Sequence, residues 1–250
     1  MSDWFRQQGH GVRFEWGPVG ARRLAADVAC LVVVDVLSFT TSVTVAVETG
    51  TRVYPYAWRD GTARAFASER DAELAVGRRE VTPDHPWSLS PAALLGAPFA
   101  PRLVLPSPNG SAISAAAGDT TVVAGCLRNA TAVGRWLAAQ GYGTEHRPVG
   151  VIAAGERWPD DTLRPALEDL LGAGAVIAEL RRQGAGPLSP EAAAARAAFI
   201  GTPDVPDAVG RCSSGLELAR DGFAADVTVA TELDAATTVP VLTEGAFTAS

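Results

Sequence analysis

Asp35 closes the apolar run Leu31-Val32-Val33-Val34 and is followed by Val36-Leu37 and a hydroxyl cluster of Ser38, Thr40, Thr41 and Ser42. Such a run reads as a buried strand. A carboxylate at its end is costly to bury unless something pairs with it, and a metal cation or the hydroxyl-rich turn would be that partner. Asp35 is therefore either a magnesium ligand or catalytic carboxylate, or a cap on the following helix. Glu168 and Asp169 sit near the start of a predicted long helix, where the helix dipole favours acids. Their functional alternative is to join Asp35 at a metal, since magnesium takes oxygen ligands and keeps several waters.

Three further turns carry polar groups. Ser107-Pro108-Asn109-Gly110-Ser111 leads into a helix, and its free N–H groups suit a phosphate; an ordinary strand-to-helix turn capped by Ser111 is the alternative. Arg128-Asn129 and Gly155-Glu156-Arg157 follow predicted strands, and Arg128, Arg157 and Arg164 are candidate anion clamps. Cys126 also follows a strand, but no partner histidine accompanies it, and a buried inert thiol is expected.

Alternating elements must position these groups. Strands are predicted at 31–36, 51–56, 102–105, 121–124, 148–153, 226–229 and 239–242. Helices are predicted at 42–49, 62–76, 111–117, 129–139, 163–182, 191–199 and 204–220, and residues 81–100 read as a long loop. This alternation implies a layered α/β/α fold with a largely parallel or mixed sheet. Ligands gather at the carboxyl ends of strands in such sheets, so the four polar turns are expected on one rim. The chain reads as one catalytic unit, with the Gly/Pro-rich stretch 183–190 the place for a boundary between two lobes.

Composition removes several chemistries. The 250 residues are 47% hydrophobic with net charge −7, and no basic stripe marks a nucleic-acid surface. All 21 basic residues are arginine, which excludes a Schiff-base or P-loop lysine but leaves a side chain well suited to oxyanions. Cys30, Cys126 and Cys212 form no C-x-x-C pair. No apolar run approaches a bilayer span and no signal peptide precedes the first predicted strand, so a cytoplasmic location and no membrane partner are expected. There is no G-x-S-x-G elbow, no dinucleotide fingerprint after a strand, and Leu37 stands where a haloacid-dehalogenase-type phosphatase needs its second Asp.

Taken in order, the segments resemble the 2-phosphosulfolactate phosphatase family of coenzyme M biosynthesis. The matching pieces are Val33-Val34-Asp35-Val36-Leu37 with its Thr/Ser tail, Pro108-Asn109-Gly110-Ser111 and Gly125 through Asn129. They continue with Ala154-Gly155, Leu167-Glu168-Asp169-Leu170-Leu171-Gly172-Ala173-Gly174, and Gly222 through Pro240 with Asp226. The resemblance implies an α/β, magnesium-dependent phosphatase that converts 2-phospho-3-sulfolactate and water into 3-sulfolactate and phosphate. Asp35, Asn109, Gly110, Asn129 and Asp169 fall on matching positions, and Glu168 replaces a similar acid. The expected catalytic groups are Asp35, Asn109 and Asn129. Asp35, Asp169 and Glu168 are the expected magnesium ligands. Ser38, Thr40, Thr41, Gly110, Ser111, Arg128, Glu156 and Arg157 are the expected substrate contacts.

Ser38 stands where the family usually has Arg, Gly77-Arg78-Arg79 where it has a Gly-Glu-Arg-Gly-type segment, Leu89-Ser90-Pro91 where it has Asn-Ser-Pro, and Gly155-Glu156 where it has Gly-Thr. Arg128, Arg157 or Arg79 would then replace the missing clamp. Another small phosphorylated acid, a sugar phosphate, or anion binding without catalysis are the alternative functions. Whether the chain works alone or as a homodimer is left open by its sequence.

Overall fold

The computed structural model describes residues 3–57, 61–118 and 120–250. The strands are β1 (Val12–Trp16), β2 (Cys30–Val34), β3 (Arg52–Tyr56), β4 (Glu73–Leu74), β5 (Arg102–Pro106), β6 (Thr121–Gly125), β7 (Val149–Ala153), β8 (Glu156–Arg157), β9 (Leu163–Arg164), β10 (Pro240–Thr243) and β11 (Ala246–Ala249). The helices are α1 (Gly17–Ala25), α2 (Phe39–Glu48), α3 (Gly61–Ser68), α4 (Pro91–Gly96), α5 (Gly110–Ala116), α6 (Ala130–Ala139), α7 (Leu167–Arg182), α8 (Pro190–Ile200), α9 (Val205–Arg211), α10 (Ser213–Arg220) and α11 (Ala224–Ala230). The fold is α/β with a mixed sheet of order β1-β7-β2-β6-β10-β11-β3-β5-β4.

Two parallel halves make up this sheet. Strands β1, β7, β2 and β6 pair in parallel, as do β3, β5 and β4. The β10–β11 hairpin joins them through one residue pair on each side, Val241 with Val123 and Phe247 with Val53, both antiparallel. Three successive reversals make the halves run in opposite directions. A flat sheet would thus put their carboxyl ends on opposite rims.

Alternation of side chains along β2 sends Cys30, Val32 and Val34 to one face, against Leu137, Leu171, Val176 and Leu180 of α6 and α7. Leu31 and Val33 face the other way, toward Leu24, Phe39, Val43 and Ile113, where Leu103, Leu105 and Phe247 of the second half also pack. Residues Phe39–Val47 of α2 are all buried, so this helix is a core element of both halves. Segment 183–190 runs along the β1 edge, where Gly11 and Val12 N–H donate to Pro187 O and Ser189 N–H to Val12 O. No helix among the described residues is long and apolar enough to cross a membrane.

Several predicted elements are corrected. The expected helix 62–76 stops at Ser68; Asp71 takes positive φ and the chain re-enters the sheet as β4. Within the expected loop 81–100, Pro91 starts α4 and Ser90 Oγ caps it by accepting from Ala93 N–H at 3.1 Å. Residues 163–164 belong to the β8–β9 hairpin, and the long helix begins at Leu167. The expected helix 204–220 breaks at Cys212, which is extended and caps α10 with its thiol. The alternating valines 227 and 229 suggest a strand, yet they lie in α11, whose first turn carries Asp226. β1, α1 and β11 were not predicted.

Candidate active site

Asp35 follows β2 and is buried. Its Oδ1 accepts from Phe39 N–H at 3.1 Å and its Oδ2 from Gly110 N–H at 3.0 Å. Its own backbone is tied by Thr40, whose Oγ1 accepts from Asp35 N–H at 3.0 Å and donates to Asp35 O at 2.8 Å. Thr41 Oγ1 donates to Val36 O at 2.8 Å. Both threonines are fully buried, and a buried hydroxyl takes the nearest partner, here the turn itself. Thr40 and Thr41, expected as substrate contacts, brace the Asp35 turn in this structure.

The bond from Gly110 is what unites the two halves of the sheet. Gly110 follows β5 in one half and Asp35 follows β2 in the other, so the sheet bends until their carboxyl ends meet. Only glycine fits there: a Cβ at position 110 would stand 2.2 Å from Phe39 Cδ1 and 3.0 Å from Asp35 Oδ2. The Gly110 N–H expected to cradle phosphate instead holds Asp35, and buried Ser111 Oγ donates to Leu105 O at 3.4 Å. Asn109 keeps an accessible amide, with Nδ2 donating to Glu156 Oε2 at 3.4 Å.

Asp169, in the first turn of α7, arrives beside Asp35. Its Oδ1 accepts from Val36 N–H at 2.7 Å and its Oδ2 from Gly155 N–H at 2.8 Å, stitching the ends of β2 and β7 together. Gly172 permits this approach, since a Cβ there would lie 2.7 Å from Val36 Cγ2. Glu168 is buried next to it and accepts from the Cys212 thiol at 3.2 Å.

These acids strain one another. Burial, then repulsion from Glu168, pushes Asp35 up to about 6, although the two backbone donors and Arg78 oppose the shift. Burial, followed by the charges of Glu168 and Asp35, raises Asp169 well above the usual carboxylate range. Burial, then Asp35 and Glu168, pushes Glu156 up to about 8. Asp35, Glu156, Glu168 and Asp169 thus form one electrostatic cluster. Burying several charges without cations is unfavourable by several kcal/mol each, so Asp35, Glu156 and Asp169 hold their protons above the usual carboxylate range. Among the described residues no group of three such side chains stands close enough to ligate one ion.

The remaining predicted residues lie outside this cluster or are engaged elsewhere. Asn129 is fully buried: its Oδ1 accepts from Cys126 N–H at 2.9 Å, while Nδ2 reaches Ala124 O, Thr238 O and Thr44 Oγ1. That amide, expected among the catalytic groups, staples β6 to the approach to β10. Buried Arg128 donates to Val229 O at 3.1 Å and pairs with Glu232, so it closes the end of α11 instead of presenting its fork to an anion. Arg157 is exposed and pairs with Asp161 at 3.1 Å within the β8–β9 hairpin. Arg164 grips Glu217 through two bonds. Burial raises the Cys126 thiol, in keeping with an inert cysteine. A recess of about 590 Å³ between α6, α7 and α8 is lined by none of the clustered acids.

Three participants were missed. Arg78, in the turn after β4, donates from Nη2 to Ser38 Oγ and from Nε to Asp226 Oδ2 at 2.8 Å. Asp226 is itself held by Ser90 Oγ and by Ala92 N–H at the start of α4. Segments 77–79 and 89–91 were noted as departures from the family pattern, but Arg79, the residue chosen there, pairs with Asp221 at the surface.

No curated protein sequence matches the chain. The family model for 2-phosphosulpholactate phosphatase matches residues 21–245, a span that contains β2, the Asp35 turn, Gly110, the acidic start of α7, and β10 with the tip of the joining hairpin. The chain therefore belongs to the 2-phosphosulpholactate phosphatase family, whose members are phosphoric monoester hydrolases.

Proposed function

We propose that this protein is a magnesium-dependent phosphatase that hydrolyses 2-phospho-3-sulfolactate to 3-sulfolactate and phosphate. The observation that carries this reading is the buried acid cluster where the carboxyl ends of both sheet halves meet. Its donors are all carboxylate oxygens, the chemistry a hard cation takes. Asp35, Asp169 and Glu168 are the carboxylates that would serve magnesium. Since among the described residues no three acids stand close enough to ligate one ion together, no more than two of them would do so at once, with water and a substrate oxygen supplying the rest. When bound, magnesium neutralises phosphate oxygens and favours attack at phosphorus.

The chain's own groups do the rest. Phe39 and Gly110 N–H fix the direction of the Asp35 carboxylate, so it can receive a proton from an attacking water or face phosphorus directly. Asp169 locks Val36 and Gly155, so the turn carrying Asp35 cannot drift from the end of β7. Asn109, beyond β5, and Glu156, in β8, are bonded to each other beside the acid cluster and would face the leaving oxygen.

Phosphate release from 2-phospho-3-sulfolactate, followed with and without magnesium in the parent and in Asp35→Asn, tests the reading. Release should require magnesium and fall at least about 100-fold in the variant. Undiminished release by a folded Asp35→Asn protein would rule out the assignment. Faster turnover of another phosphorylated hydroxy acid or a sugar phosphate would move the substrate while keeping the chemistry.

A further inference from the structure

We propose that Arg78 is the clamp for an acidic group of the substrate other than its phosphate, a reading that rests on the phosphatase function proposed above. Arg78 leaves the sheet just beyond β4, on the same edge of the second half as Asn109 and Gly110 beyond β5. Its Nη2 reaches Ser38, three residues after Asp35, and among arginines its charge is the one that acts on Asp35. The other candidates are spent: Arg128 on Glu232, Arg164 on Glu217, Arg157 and Arg79 on surface aspartates.

The way Arg78 is held suits a binding role. Asp226, itself 1% exposed, takes Nε and fixes the guanidinium plane, and the Phe223 ring lies 5.6 Å from its central carbon. With Nε and Nη2 engaged, Nη1 makes no hydrogen bond among the described residues, and it is not sealed from solvent. A recess of about 330 Å³ opens beside it, lined by Gly77, Arg78, Arg79 and Phe223 and also by the acids Glu80, which accepts from Gly77 N–H, and Asp221, which pairs with Arg79. A preset guanidinium with one unused nitrogen, hydrogen-bonded to the turn that follows Asp35, suits an oxygen of a sulfonate or carboxylate. The anchoring network of Asp226, Ser90 and Ala92 N–H supplies what a surface arginine lacks, a fixed direction.

The competing view is that Arg78 only ties α11 to the turn after β4. The two views separate on substrate dependence. KM is measured for the parent, Arg78→Gln and Arg78→Lys with 2-phospho-3-sulfolactate, with 2-phospholactate, which keeps the carboxylate but lacks the sulfonate, and with ethyl phosphate, which lacks both. Loss of a charge-assisted fork should raise KM roughly 10- to 100-fold for a substrate bearing the clamped group, with kcat changed less and ethyl phosphate within about threefold. A rise confined to the sulfolactate ester supports the clamp and identifies the sulfonate; a rise shared with the lactate ester supports it and identifies the carboxylate. An equal rise for all three substrates, or none, overturns it. Lysine keeps the charge beside Asp226 but not the fork, so the Arg78→Lys pattern decides the matter if the glutamine variant does not fold. Should the parent release no phosphate, calorimetric titration with 3-sulfolactate separates the two proposals. Weaker binding by the variants would sustain the clamp while the hydrolytic reading fails; unchanged binding would overturn the clamp as well.

Discussion

The two ends of α7 treat carboxylates in opposite ways. At its start, Glu168 and Asp169 are buried beside Asp35, and the shifted groups there are pushed up by burial and by one another. About three turns further on, Glu179 is ringed by Arg135, Arg182 and Gln183, whose hydrogen bonds pull it down to about 2. The second arrangement is complete: every charge has its partner in the chain. The first is deficient in positive charge, with Arg78 alone lowering Asp35 through its field. The carboxylate at the far end is neutralised by the protein that carries it, whereas those at the start lack matching cations among the described residues.

Substituting one acid from each end tests that contrast most severely. Asp169→Asn places an amide NH₂ against either Val36 or Gly155 N–H, donor against donor. It should reduce kcat/KM for phosphate release at least about 100-fold and destabilise by about 1–3 kcal/mol in urea unfolding. Glu179→Gln weakens pairs with Arg135 and Arg182, whose side chains are 62% and 60% exposed. Screening limits that cost to about 0–1 kcal/mol, and turnover should stay within about twofold of the parent. Equal losses of activity in the two variants would show that the division of α7 has no functional meaning.

The next largest effect contrasts two glycines. Gly110→Ala drives a methyl group into Phe39 and toward Asp35 Oδ2, which should destabilise by about 1–3 kcal/mol and displace the catalytic carboxylate, lowering turnover roughly tenfold. Gly210, within α9, has nothing within 4 Å of an added Cβ, so Gly210→Ala should stabilise by about 0.4–1 kcal/mol and leave turnover alone. Thermal melts together with initial rates would expose any failure: an active Gly110→Ala protein would mean that the Gly110–Asp35 contact does not set the site.

How much of this was legible depended on the range of the interaction. Asp35 and its hydroxyl tail announce themselves locally, because a buried run ending in an acid needs a partner nearby, and the approach of α7 could be read from the small residues Gly172, Ala173 and Gly174. The same local logic did not show the partners of Asn129 and Arg128. A polar side chain after a strand can equally staple backbone or receive a ligand, and the choice depends on segments more than a hundred residues away, Thr238 and Glu232. Strand direction was hidden too. Nothing in the alternation of β3 or β5 reveals that they run against β2; the reversal is set by the β10–β11 hairpin, whose tip at Glu244-Gly245 takes positive φ at both residues. Arg78 became visible only in the folded chain, where the end of β4 meets Ser38 in spite of that reversal.

The finest discrimination between the two regions is in their response to pH. Asp35 and Glu156 sit at about 6 and about 8 in the folded chain, above their unfolded values near 4. Folding therefore tightens their protons, and their contribution to stability is greatest below the unfolded values and is lost as pH rises through about 6 and then about 8. Glu179 has the opposite sign: at about 2 in the folded chain, its contribution is present above pH 4.5 and is lost only as pH falls toward 2. Between pH 8 and pH 5 the metal-free protein should accordingly become more stable on acidification, with Glu179 contributing almost nothing to the slope. Magnesium favours the ionised cluster, so its stabilising effect should be larger at pH 8 than at pH 5, where protons compete for the same oxygens. Melting curves at several pH values, with magnesium and with a chelator, measure both trends. Asp35→Asn should flatten the metal-free slope and Glu179→Gln should not. A chelated protein that gains stability as pH rises from 5 to 8 would show that the acids at the start of α7 are as well neutralised as the one at its end.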